Sequence, residues 1–127
     1  MSDVIYYSHS MRKYDTKAEK KELSIIAKAF TQLAIYNPNN KEIQNSSFPM
    51  VACLKVIEDD QTKVVVFSTY KDHVGRGVYT EVLEARMLGK PVYMIKGRKV
   101  ISFDNMRLRV IDRDWATYYA VVEKESK

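Results

Sequence analysis

The sequence is poor in cysteine, histidine, glycine and proline, and each scarcity narrows what the chain can be. Cys53 is the only cysteine. One thiol cannot close an internal disulfide, which fits a reducing, cytoplasmic setting. With only two histidines beside it, the chain lacks the ligands for a structural zinc site of its own. No metal and no other cofactor is expected. No window approaches about 18 consecutive apolar residues, so no membrane-spanning helix is expected. The opening Met1-Ser2-Asp3-Val4 lacks a charged segment followed by an apolar one, so no secretory leader is expected. The four glycines form neither the dinucleotide fingerprint nor a phosphate loop with its lysine. Internal repeats, low-complexity tracts and interdomain linkers are absent too.

What remains is a chain of 127 residues, 46% hydrophobic and 29% charged. That is the composition of one globular domain able to bury its own core. The net charge is +5, with a pI near 9.2. Such a balance favours an anionic partner, either a phosphorylated small molecule or nucleic acid, or else marks a solvated basic surface. The basic residues are scattered, with no stripe of interleaved aromatics, which argues against nucleic acid.

Asp3 to Ser8 is β-branched and aromatic and predicts a buried strand. Thr16-Lys17-Ala18-Glu19 has capping-box spacing and opens a helix that should run to about Leu33. Its apolar positions Leu23, Ile26, Ala27, Phe30 and Leu33 recur at three- and four-residue steps. Ala34-Ile35-Tyr36 predicts a short strand, closed by the turn Asn37-Pro38-Asn39-Asn40. Lys41 to Ser47 reads as irregular. Pro49 to about Glu58 reads as a helix, and Lys63 to Ser68 as a strand buried on both faces. Thr69 to Arg76 reads as a loop and Val78 to Leu88 as a helix, with Gly89 at its C′ position and Pro91 beyond. Pro91 to Ile95 predicts a strand, and Val100 to Phe103 a strand or loop. Leu108 to Ile111 predicts a last strand, and Trp115 to Glu123 a last helix. This alternation predicts an α/β domain spanning 1–127: a three-layer, Rossmann-like (flavodoxin-like) mostly parallel sheet with helices on both faces.

In such folds ligands sit beyond the carboxyl ends of the strands. Two loops meet that condition. Ser8-His9-Ser10-Met11-Arg12 offers hydroxyls, an imidazole and a guanidinium. Ser68 to Thr80 offers Asp72, His73 and Arg76, while Gly75 and Gly77 let backbone approach a ligand closely. Glu81 follows about one helical turn later, where it either complements the helix dipole or faces the mouth of an anion- or nucleotide-sized pocket.

Ile5-Tyr6-Tyr7-Ser8-His9-Ser10-Met11-Arg12 resembles the opening strand and loop of the nucleoside 2-deoxyribosyltransferase superfamily, which includes the 2′-deoxynucleoside 5′-phosphate N-hydrolases. Gly77-Val78-Tyr79-Thr80-Glu81, with Ala85 and Gly89-Lys90-Pro91-Val92, resembles its second signature. Val64-Val65-Val66 and Leu108-Arg109-Val110-Ile111-Asp112 continue the resemblance in order along the chain. It implies an N-glycosidase or deoxyribosyltransferase acting on a nucleoside or nucleoside monophosphate. Glu81 would be the nucleophile, attacking the anomeric carbon as the base departs. Ser10 and Arg12 would hold sugar and phosphate, and Tyr7 or Tyr6 would orient the glutamate or the sugar. A homodimer or higher homo-oligomer is also implied. The chain departs from the family in three places. Cys53-Leu54-Lys55 stands where an aspartate is usual, Gly75 where an Asp or Ser is frequent, and His9 where the first loop has glycine.

Each other candidate has a plainer alternative. Asp72 could be a general acid or a surface carboxylate, and His9 and His73 could act or merely be solvated. Cys53 fits a core position. Trp115, Tyr118 and Tyr119 suit core or dimer contacts. A non-catalytic nucleotide-binding or regulatory protein on the same scaffold is the alternative function.

Overall fold

The apolar runs of the sequence become the middle of a sheet. A computed structural model describes residues 3–114 and 117–125. In chain order the elements are β1 (Val4–Ser8), α1 (Lys17–Ala29), β2 (Ala34–Tyr36), α2 (Lys41–Gln44), α3 (Pro49–Glu58), β3 (Thr62–Phe67), β4 (His73–Val74), α4 (Arg76–Met87), β5 (Val92–Lys96), β6 (Lys99–Ser102), β7 (Met106–Asp112) and β8 (Tyr119–Lys124). A single 3-10 turn, Met11–Lys13, sits between β1 and α1.

Five strands form a sheet in the order β2-β1-β3-β5-β6. The first four are parallel, with Tyr6 opposite Val65 and Ser8 opposite Phe67 across β1 and β3. β6 returns antiparallel to β5 through a tight turn at Gly97, whose φ of +62° suits glycine. The chain is therefore an α/β protein with a mostly parallel sheet. Alternation along the strands divides its core. Ile5, Tyr7, Val64, Val66 and Ile95 pack with Ile26 of α1. Tyr6, Val65, Phe67 and Met94 pack with Cys53 and Ile57 of α3 and with Val78, Val82 and Ala85 of α4.

Local chemistry places the helix ends. Thr16 Oγ1 accepts the Glu19 N–H at 3.2 Å and so caps α1. The Glu19 carboxylate reaches back to the N–H of Asp15, one residue beyond the expected capping-box partner. α1 stops at Ala29 rather than Leu33, because Phe30 leaves helical geometry at φ −132°, ψ 75°. At the end of α4, Gly89 takes φ +73°. The N–H of Gly89 bonds to Arg86 O and that of Lys90 to Ala85 O, each at 3.0 Å, the paired bonds of a Schellman motif.

Three expectations are corrected. Lys41–Gln44 is a helical turn rather than irregular, because the Asn40 side chain caps it through the Ile43 N–H. The stretch expected to be loop before α4 contains β4, and α4 begins at Arg76. The last helix is not present at 119–124, where the chain forms β8 (Trp115 lies outside the described residues). β8 pairs antiparallel with β7 and β4 in a second, three-stranded sheet. The reason is pairing: Leu108 faces Val122 and Val110 faces Ala120, which turns the apolar side of this ribbon toward α4. Among the described residues no helix is long and apolar enough to cross a membrane.

Candidate functional site

The buried side of α4 is its 78, 81, 82, 85 stripe, and three of those four residues are apolar. The fourth is Glu81. Its side chain is thereby carried against the sheet, 6% exposed, instead of standing at an open mouth. It meets β1 where Tyr6 and Ser8 project from the same face, as period-two alternation requires. The Tyr6 hydroxyl donates to Glu81 Oε2 at 2.7 Å, and Ser8 Oγ donates to Oε1 at 2.7 Å. Cys53 of α3 completes the surround, close enough for its thiol to act on both Tyr6 and Glu81.

Strand order reverses beside this point, since the chain runs from β1 outward to β2 and then returns past β1 to β3. Ser8 is the last residue of β1 and pairs with Phe67, the last of β3. The cluster thus lies at the carboxyl ends of neighbouring parallel strands, at a topological switch point.

Burial dominates the electrostatics. It pushes the Glu81 carboxyl above its ordinary value, while hydrogen bonds from Ser8, Tyr6 and the Cys53 thiol pull the other way without cancelling it. Tyr6 is raised, first by burial and then by the neighbouring carboxylate. Burial pushes the Cys53 thiol up to about 11. Tyr14 is raised for the same first reason, with smaller contributions from Cys53 and Glu81. The result is a desolvated carboxyl group held by neutral donors. When ionised, such a group is a positioned nucleophile; when protonated, it is a general acid.

The other expected site residues are dispersed. Tyr7 points to the opposite face, where its hydroxyl donates to Glu22 Oε1 at 2.5 Å and its ring stacks on His9 with centroids 3.7 Å apart. His9 is buried, with Nε2 2.8 Å from Glu19 Oε2 and Nδ1 3.1 Å from Tyr7 O. Both ring nitrogens face oxygen atoms, which fixes the orientation of the ring. Ser10 caps the 3-10 turn by accepting the Arg12 N–H at 3.2 Å. Arg12 is exposed, and neither it nor Ser10 hydrogen-bonds to Glu81. Asp72 is exposed with φ +63°. His73 lies between the rings of Tyr70 and Tyr119. Gly75 is the N-cap of α4, and the Arg76 guanidinium lies 4.5 Å from the centre of the Tyr118 ring. A Cβ at Gly77 would meet the end of the Met50 side chain of α3 at 3.5 Å, an ordinary contact, so this glycine faces α3.

Sequence reasoning missed two contributors. Ser8 both ends the predicted strand Asp3 to Ser8 and opens the predicted loop, but that reading does not pair it with Tyr6 on one strand face; two-residue alternation is the signal that links them. Lys13 was passed over. Its ammonium joins Glu22 Oε2 at 2.8 Å, Ser68 Oγ at 3.2 Å and Thr69 O at 3.1 Å, tying α1 to the end of β3. Among the described residues no three acidic, histidine or cysteine side chains gather as metal ligands would. Compared with protein-family models, curated proteins and solved structures, the chain has no match.

Proposed function

We propose that the chain is an N-glycosidase or deoxyribosyltransferase that cleaves the N-glycosidic bond of a (deoxy)nucleoside or its 5′-monophosphate, with Glu81 as nucleophile. One observation carries this reading: both oxygens of a desolvated carboxyl group are held by Tyr6 and Ser8 at the carboxyl end of β1. A carboxylate fixed in this way can bond to the anomeric carbon while the bond to the base breaks. The base leaves with the bonding electrons and takes up a proton. Water or a second base then releases the sugar. Tyr6, rather than Tyr7, is the residue that orients the glutamate. Arg12, exposed and without an ion pair among the described residues, is free to meet a 5′-phosphate. Ser10 stands beside it. The strand order and the two differently covered sheet faces support a three-layer, Rossmann-like variant, the resemblance in motif order supports a homo-oligomer, and the single thiol of Cys53 supports a reducing, cytoplasmic setting.

The test is incubation with a panel of deoxynucleosides and their monophosphates, followed by chromatography of released base. Wild type should release base, and Glu81→Gln should lose that activity by on the order of a thousandfold or more. Absence of release from every substrate overturns the reading.

A second reading is favoured by the burial of Glu81 and by Cys53 standing where the family has an aspartate. On this reading the chain binds a nucleotide without turning it over. Calorimetry with nucleoside monophosphates separates the two: binding without turnover, weakened by Arg12→Ala and indifferent to Glu81→Gln, selects the second.

A further inference from the structure

The charges of α1 are divided between its sides. Its acids turn inward: Glu19 meets His9 and Asn39, and Glu22 meets Lys13 and Tyr7. Its lysines do not follow them. Lys17, Lys21, Ser24 and Lys28 recur at steps of four, three and four, which is one stripe, about 16 Å from end to end, along the helix. Lys21, Ser24, Ile25 and Lys28 form one wall of an open groove of 310 Å³, and Arg98 from the turn between β5 and β6 faces them. The lining holds no acid. Lys21, Lys28 and Arg98 are exposed and form no ion pair with any described residue. The groove belongs to the α1 side of the sheet, whereas Glu81 meets the face that carries Tyr6 and Ser8.

Three cations around one concavity repel each other, and a polyanion seated among them removes that repulsion. Ammonium and guanidinium groups bind phosphate oxygens through charge-assisted hydrogen bonds, and Ser24 adds a neutral donor. The volume suits a small molecule. No aromatic ring lines the groove, so the stacking platform on which single-stranded nucleic acid depends is missing. We propose that this groove is a binding site for a small polyphosphate, meaning two or three linked phosphates, either free or carried by a nucleoside.

Calorimetric titration of the whole chain in low salt tests this, with sodium tripolyphosphate, adenosine triphosphate, orthophosphate and a 20-nucleotide single-stranded DNA as probes. Tripolyphosphate should bind at least tenfold more tightly than orthophosphate. Equal affinity for adenosine triphosphate assigns recognition to the phosphate chain alone, and tighter binding of the nucleotide assigns a nucleoside-borne chain. The combined Lys21→Ala, Lys28→Ala and Arg98→Ala variant should bind tripolyphosphate at least tenfold more weakly. Ser24→Glu, which sets a carboxylate in the groove while keeping a good helix former, should do the same. Circular dichroism melting confirms that both variants are folded. No binding of tripolyphosphate, unchanged affinity in folded Ser24→Glu, or tighter binding of the DNA than of tripolyphosphate would each overturn the proposal.

Discussion

Ser8 Oγ and Glu81 Oε1 lie 2.7 Å apart although 73 positions separate them in the chain. The bond joins the last residue of β1 to the one polar member of the buried stripe of α4. Burial of the pair makes the stability of the fold depend on the protonation of Glu81, against the pull of this bond.

Burial raises the folded-state pKa of Glu81 above its ordinary value of 4.5. The folded protein then holds this proton where the unfolded chain has lost it. Stability from Glu81 is fully present below about pH 4.5 and is lost as the pH rises through the folded value. Glu81→Gln keeps the shape and cannot ionise. Melting temperatures of the two proteins between pH 4.5 and 8 should diverge, with wild type losing ground to the variant as pH rises. Parallel profiles would show that the carboxyl group is not desolvated.

Glu19 behaves in the opposite sense. Burial acts to raise its pKa, but hydrogen bonds from His9, the Asp15 N–H and Asn39 together hold it below the ordinary value of 4.5. Its contribution is present above that value and is lost as the pH falls through the folded one. Glu19→Gln should cost roughly 1–3 kcal/mol at pH 7, because it weakens the partners of the buried His9. Urea denaturation at pH 7 and pH 3 checks this: the gap between variant and wild type should narrow at the lower pH. An unchanged gap would remove the charge from the explanation.

Cys53 is 7% exposed, and its thiol is pushed up to about 11, first by burial. At pH 8 only about one thiol in a thousand is then the reactive thiolate. Labelling with a disulfide reagent should be slower than in urea by roughly a hundredfold or more. Rapid labelling of the native protein would mean that the wall of the Glu81 cluster opens readily.

Several elements were legible because one local cause sufficed for each. β1, β3 and β5 are buried on both faces and so stand out as continuous apolar runs. The start of α1 follows from a hydroxyl at Thr16, and the end of α4 from a glycine able to take positive φ at Gly89. The second sheet was not legible. Tyr119–Lys124 is apolar enough for either helix or strand, and its pairing with β7 is a long-range choice.

The candidate site divides in the same way. The sequence alone determined that Glu81 belongs to the helix after the central strand, and that Tyr6 and Ser8 must share a side of β1 while Tyr7 takes the other. It could not determine which side meets Glu81. That followed from the strand order: the crossover from β1 to β2 and the crossover from β3 to β5 run in opposite directions along the sheet. Right-handed connections then lay α1 and α4 on opposite faces. Tyr7 and His9 were left to α1, and Tyr6 and Ser8 were delivered to Glu81, because handedness acts on whole strands and helices and leaves no mark on the residues between them.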